Sequence, residues 1–174
     1  MVGDSVTAVM SPDFGAGDID PGSWVMQVLG KDYSFAGGWA VPGSHTAAML
    51  AHVVPVDADV LLIFAGTNDV FFGDDIATTE ANLVGIADTV DARRVVISAI
   101  TPLDPKPGLA ERYNETIQVF AETQGWDWID PTEDIRNGET YVVGLTDDGL
   151  RPNTEGEALM GQTMKLKLDE LLRD

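Results

Sequence analysis

Short apolar runs alternate with stretches of helical spacing along almost the whole chain, and this alternation restricts the possible architectures more than any other feature. Runs of the length of buried strands occur at Tyr33–Ala36, Val60–Ala65, Val95–Ala99 and Trp128–Ile129, each bounded by turn residues. With the stub Met1–Val2 they make five strands. Helical spacing fills the intervals at Trp24–Leu29, Thr46–Val53, Thr79–Val90 and Leu109–Gln124, the last followed by Gly125 as a stop. A final helix runs from Thr154 to about Leu172, with Thr154 and Glu157 spaced to cap its first turn reciprocally. Right-handed crossovers between parallel strands put helices above and below a sheet, so the expectation is a three-layer α/β/α sandwich.

Length and composition narrow this further. At 174 residues, 44% hydrophobic and 22% charged, the chain has the make-up of one globular domain spanning residues 1–174. A formal net charge of −19 repels nucleic-acid backbones and anionic lipid surfaces, so neither partner is expected. Cysteine is absent, which removes disulfides and a thiol nucleophile from consideration. No run approaches the roughly 20 apolar residues of a membrane span, and no basic leader with an apolar stretch precedes the domain. The compartment stays open: cytoplasmic by default, secreted if a leader was removed. Oligomeric state cannot be read from the chain.

Two loops are long for their positions, Ser11–Ser23 and the Pro-rich Thr101–Gly108. Both follow carboxyl ends of expected strands, the edge at which open α/β sheets bind ligands. Four short segments with polar side chains stand at strand ends or in loops: Gly3-Asp4-Ser5, Val41-Pro42-Gly43-Ser44, Gly66-Thr67-Asn68-Asp69 and Asp148-Gly149-Leu150-Arg151-Pro152-Asn153. Taken singly, Gly-Asp-Ser and Gly-Thr-Asn-Asp each read as ordinary turns.

In this order and placement the four segments resemble the blocks of the SGNH (GDSL-type) ester hydrolases. The resemblance runs from Gly3 to Asn153 and takes in Arg112-Tyr113-Asn114 at the start of a helix and Trp128-Ile129-Asp130 after it. It implies a flavodoxin-like five-stranded parallel sheet of order 2-1-3-4-5, with strands one and three adjacent at the topological switch point. It also implies that Ser5 is a nucleophile, that the Ser5 and Gly43 N–H groups and the Asn68 amide form an oxyanion hole, and that Asp148 is the acidic triad member. A small-molecule ester or other acylated compound is the implied substrate, with no cofactor and no metal.

One position departs from the pattern. The family has its catalytic histidine three residues after the triad aspartate, and this chain has Arg151. A guanidinium stays protonated at any working pH and has no lone pair with which to take the Ser5 proton. Arg151 can instead pair with Asp148 or anchor an anionic ligand. Two readings follow: a serine ester hydrolase with an atypical or defective base, or a catalytically silent module of the same fold that binds an acylated or anionic ligand. His45, just after Gly43, is the one histidine near the expected site, although a histidine at a helix N-terminus is more often a solvated polar residue. His52 reads as a helix-face residue. The four tryptophans read as packing residues, with Trp39 near enough to Gly43 to border a cleft. The aspartates are spread too evenly for a metal cage.

Overall fold

Strand β3 (Val60–Phe64) shows the layering most directly: Leu61, Leu62, Ile63 and Phe64 are all buried, although successive side chains point to opposite faces. A strand buried on both faces needs cover on both. The computed structural model describes residues 1–173. Its main sheet contains β1 (Val2–Gly3), β2 (Trp39–Ala40), β3, β4 (Arg94–Ser98) and β5 (Asp127–Ile129), all parallel, in the order β2-β1-β3-β4-β5. The helices are α1 (Ser5–Ala8), α2 (Val25–Val28), α3 (Thr46–His52), α4 (Thr67–Phe72), α5 (Ile76–Val90), α6 (Leu109–Gln124) and α7 (Thr154–Leu171). Helix α2 packs on α7, α3 on α5, and α4 on α6. A small antiparallel hairpin, β6 (Arg136–Asn137) with β7 (Thr140–Tyr141), stands apart from the sheet. This is the five-stranded α/β sandwich that the alternation and the resemblance imply.

The second strand departs from its sequence reading. The apolar run Tyr33–Ala36 is irregular, and pairing occurs instead at Trp39–Ala40, opposite Val2 and Gly3. The reason lies in the neighbour, because β1 has only two residues and its next contact is Met1 O, which accepts the Trp39 N–H at 3.0 Å. Residues 33–36 have no strand beside them to pair with. Helix α5 begins three residues earlier than its periodicity suggests, because Asp75 caps it by accepting the Thr78 N–H at 3.2 Å. Helix α7 starts at the expected residue but by another device: Asn153 is the cap, accepting the Gly156 N–H at 3.1 Å. Glu157, expected to close a capping box with Thr154, is turned into the core instead.

Candidate active site

Ser5 follows β1 immediately. Asp4 caps the short helix α1 by accepting the Val6 N–H on Oδ1 at 3.0 Å, which sets Ser5 as the first helical residue. Glycine is required at position 3, because a Cβ there would lie 2.3 Å from Thr7 Oγ1 as α1 folds back over its strand. Helix α1 ends at Val9, whose φ of 48° is a strained value for a β-branched residue, and Val9 lines the same cleft as Ser5.

Asn68 lies beyond the carboxyl end of β3, next to β1 in the sheet, with Gly3 in register with Phe64. The turn before it depends on Gly66, which has φ 110° and lies against Tyr113. The Tyr113 hydroxyl donates to Ala65 O at 2.9 Å, holding α6 to this strand end. The Asn68 amide donates to Ser44 O at 2.9 Å. Buried Asp69 binds the same loop more firmly, accepting the Thr46 N–H on both oxygens at 3.1 and 3.0 Å and also the Thr46 hydroxyl. Asn68 and Asp69 therefore join α4 to the Gly43–Ser44 turn, in which Gly43 has φ 79° and no neighbour where a side chain would project. One N–H of Asn68 is used in this link, and its amide has a second to offer.

Asp148 and Arg151 reach the site from the loop before α7. Thr146 Oγ1 folds that loop, accepting the Gly149 N–H at 2.8 Å and donating to Arg151 O at 2.6 Å. Asp148 Oδ1 accepts the N–H groups of Leu150 and Arg151, both at 2.8 Å, while Oδ2 accepts Arg151 Nε and Nη2 at 3.0 and 2.9 Å. Partial burial pushes the Asp148 carboxyl upward, but these N–H donors and the guanidinium outweigh it and hold the group below the usual carboxylate range.

Ser5, Asp148 and Arg151 line one cleft of about 270 Å³, whose walls also include Asp20, Asp147 and Glu157. A larger cavity of about 460 Å³ opens at the amino ends of the strands, between Met1, Trp39 and Leu61. It lies at the wrong end of the sheet for the residues that follow β1 and β3. Trp39 lines that cavity and stacks on His52, with ring centroids 5.3 Å apart, so it does not border the Ser5 cleft. Asn68, after β3, is tied to Ser44 O in the turn that follows β2, on the two strands that flank β1, and neither Gly43 nor Asn68 lines the Ser5–Arg151 cleft wall.

His45 is also outside that wall. Its Nδ1 pairs with Asp74 Oδ2 at 2.7 Å and its ring lies against Phe72. Asp69 offers an oxygen near this pair, but its carboxylate is already engaged by Thr46. Glu157 is the residue that sequence reasoning misjudged. It is 3% exposed, its Oε2 accepts the Trp24 N–H at 2.9 Å, and burial, with Asp4 and Asp20 nearby, raises its carboxyl to about 8. Its only sequence signal is a glutamate three residues after Thr154, in the first turn of α7, which the capping-box pattern accounts for equally well.

The model of the GDSL-like lipase/acylhydrolase family matches residues 1–159. The chain belongs to that family. Solved GDSL-type and other structures share its fold at low identity. A lipolytic G-D-S-L family protein from Veillonella parvula is 21% identical, with 99% of this chain and 96% of that one covered and a TM-score of 0.69. TesA is 22% identical, with 98% and 97% covered and a TM-score of 0.71. A carbohydrate acetylesterase from Sinorhizobium meliloti is 17% identical, with 98% of each chain covered and a TM-score of 0.66. No curated protein matches the chain significantly. Membership makes this a hydrolase-family chain at the level of small-molecule esters. Among the described residues no helix is long and apolar enough to cross a membrane.

Proposed function

We propose that this GDSL-family chain is a serine ester hydrolase acting on short acyl esters, with Ser5 as nucleophile. The observation that carries the reading is the opening of Ser5, Asp148 and Arg151 into one cleft at the carboxyl edge of the sheet, beside the strand end that bears Asn68. In the proposed reaction Ser5 Oγ attacks the ester carbonyl, and the N–H groups of Ser5 and Gly43 with the Asn68 amide stabilise the developing oxyanion. Asp148 is the acidic member of the constellation, neutralised by Arg151. The volume of the cleft, below the range of about 300–1,000 Å³ usual for drug-sized ligands, favours a small acyl group.

A fluorophosphonate probe tests this, since it labels a serine only when its surroundings activate the hydroxyl. Labelling at Ser5 that is lost in Ser5→Ala, and hydrolysis of p-nitrophenyl acetate that falls about 100-fold or more in Asn68→Ala, are expected. A chain that neither labels nor turns over is a silent binding module.

That second reading draws on one observation, the occupation of the expected histidine position by a guanidinium already bound to Asp148. The same bond weakens the idea of an anionic ligand, because Nε and Nη2 are committed and Asp20 and Asp147 add negative charge to the cleft. Binding of a neutral acylated compound is the form of the silent reading that the electrostatics supports.

A further inference from the structure

We propose that Glu157 takes the place of the missing histidine as the proton acceptor for Ser5, directly or through one water in the cleft they share. The proposal rests on the esterase reading above. Once Arg151 stands at the histidine position, the proton of Ser5 needs another destination. The proton-accepting side chains in the cleft wall are Asp20, Asp147, Asp148 and Glu157. Asp148 is saturated by four N–H donors. Asp20, although one of its oxygens likewise accepts a backbone N–H, from Gly22 at 2.7 Å, is only half-buried, and Asp147 is exposed to solvent, so neither is desolvated as a strong base would be. Glu157 differs from these, being buried and unpaired with any cation, with Oε2 fixed by Trp24 N–H and no hydrogen bond to Oε1 among the described residues. One oxygen is anchored and the other is available, which is the arrangement a positioned base needs.

The charged groups facing Glu157 act in the same direction. Asp4 on the α1 turn and Asp20 on the loop before α2 both disfavour its ionised form, adding to its burial on α7. A carboxyl raised to about 8 is a far stronger base than an ordinary one. Arg151, the one cation of the cleft wall, is held by Asp148 and does not reverse this. In the step, the Ser5 O–H bond breaks, its proton passes to the Glu157 carboxylate, and Oγ bonds to the carbonyl carbon. The tetrahedral adduct then expels the alkoxide, which takes the proton from Glu157 and leaves acyl-Ser5. Water repeats the sequence, giving its proton to Glu157, and Ser5 Oγ recovers a proton as the carboxylic acid leaves.

The test is the pH profile of fluorophosphonate labelling and of p-nitrophenyl acetate hydrolysis from pH 6 to 10, corrected with Ser5→Ala. Wild type is expected to gain roughly tenfold per pH unit up to about 8 and then level off. Glu157→Gln keeps the shape and can still accept the Trp24 N–H, so it is expected to retain its circular dichroism while losing the plateau by about 100-fold or more. An unchanged profile in Glu157→Gln overturns the proposal and leaves the esterase reading intact. Loss of the profile in His45→Ala, with Glu157→Gln unaffected, assigns the base to the His45–Asp74 pair and also overturns it. Absence of labelling and turnover in wild type at every pH removes the esterase reading and this proposal together. If Glu157→Gln does not fold, the wild-type profile decides, since a rate independent of pH from 6 to 10 overturns the proposal.

Discussion

Arg151 gives two N–H groups of its guanidinium to a single oxygen of Asp148, Nε at 3.0 Å and Nη2 at 2.9 Å. The other oxygen of Asp148 is held by backbone N–H groups of the same loop, so the carboxylate is fixed in place and lacks only a partner able to carry a proton. In Arg151→His the Nδ1–H of an imidazole can take the position of Nε, leaving Nε2 free toward the Ser5 cleft. The substitution is expected to raise p-nitrophenyl acetate hydrolysis by about 100-fold or more at pH 7.5. The gain should follow the deprotonation of the new imidazole, at or above about 6.5 because Asp148 favours its charged form. A folded Arg151→His protein no faster than wild type would show either that Glu157 already supplies the base or that Ser5 is not presented to the substrate carbonyl. Activity that survives Glu157→Gln only in the presence of Arg151→His selects the first, and no activity in any variant selects the second.

The charge of the cleft makes a prediction about substrate selection. Asp20, Asp147 and Asp148 face Arg151 alone, on a chain of net charge −19. Acetate esters of neutral or cationic alcohols should be turned over with higher kcat/KM than matched esters of anionic alcohols, by about tenfold at low salt. Raising ionic strength from about 0.01 to 0.15 M, which shortens the Debye length from about 30 to 8 Å, should narrow the difference. Equal rates for the two classes at low salt would mean that the acyl carbonyl binds outside the field of these carboxylates.

Stability should depend on pH through two buried carboxyls. Burial raises Asp4 to about 6 and Glu157 to about 8, both above their ordinary values. The folded state therefore holds protons that the unfolded chain releases from about pH 4 upward, so the stabilising contribution is complete below that pH and is lost as pH rises. The loss runs through about 6 for Asp4 and about 8 for Glu157, at no more than about 1.4 kcal/mol per pH unit for each group. Thermal melts should show Tm several degrees lower at pH 8.5 than at pH 5.5. Glu157→Gln should remove most of the fall above pH 6. If the variant and wild-type Tm curves run parallel across this range, Glu157 is not the group responsible.

Gly66 and Gly73 bracket α4 and separate backbone strain from crowding. Both have positive φ, 110° and 85°. A Cβ at Gly66 would lie 1.9 Å from the Tyr113 hydroxyl oxygen, whereas one at Gly73 meets nothing within 4 Å. Gly73→Ala should cost only the backbone term of about 1 kcal/mol. Gly66→Ala must also displace Tyr113 from Ala65 O, and should cost about 3 kcal/mol or more, readable as a difference in urea midpoint. Similar midpoints for the two variants would show that Tyr113 yields easily.

Much of this molecule is decided by interactions local enough to be read from residue order. Apolar runs separated by helical spacing set a parallel sheet with covered faces, and the glycines and capping side chains around Ser5 and Asn68 mark where strands give way to helices. The pairing of Asp148 with Arg151 is legible for the same reason, since they stand three positions apart in one loop. Tertiary structure decided what depends on distant neighbours. Strand β2 lies at Trp39–Ala40 rather than at Tyr33–Ala36, because a strand exists only where another presents N–H and C=O groups to it, and β1 presents few. Glu157 has the sequence signature of a helix cap, yet it is a buried carboxyl because Trp24, 133 residues away, supplies the N–H that binds it. Burial and desolvation are properties of packing, so the group most altered by its surroundings in the Ser5 cleft was the one that residue order described least well.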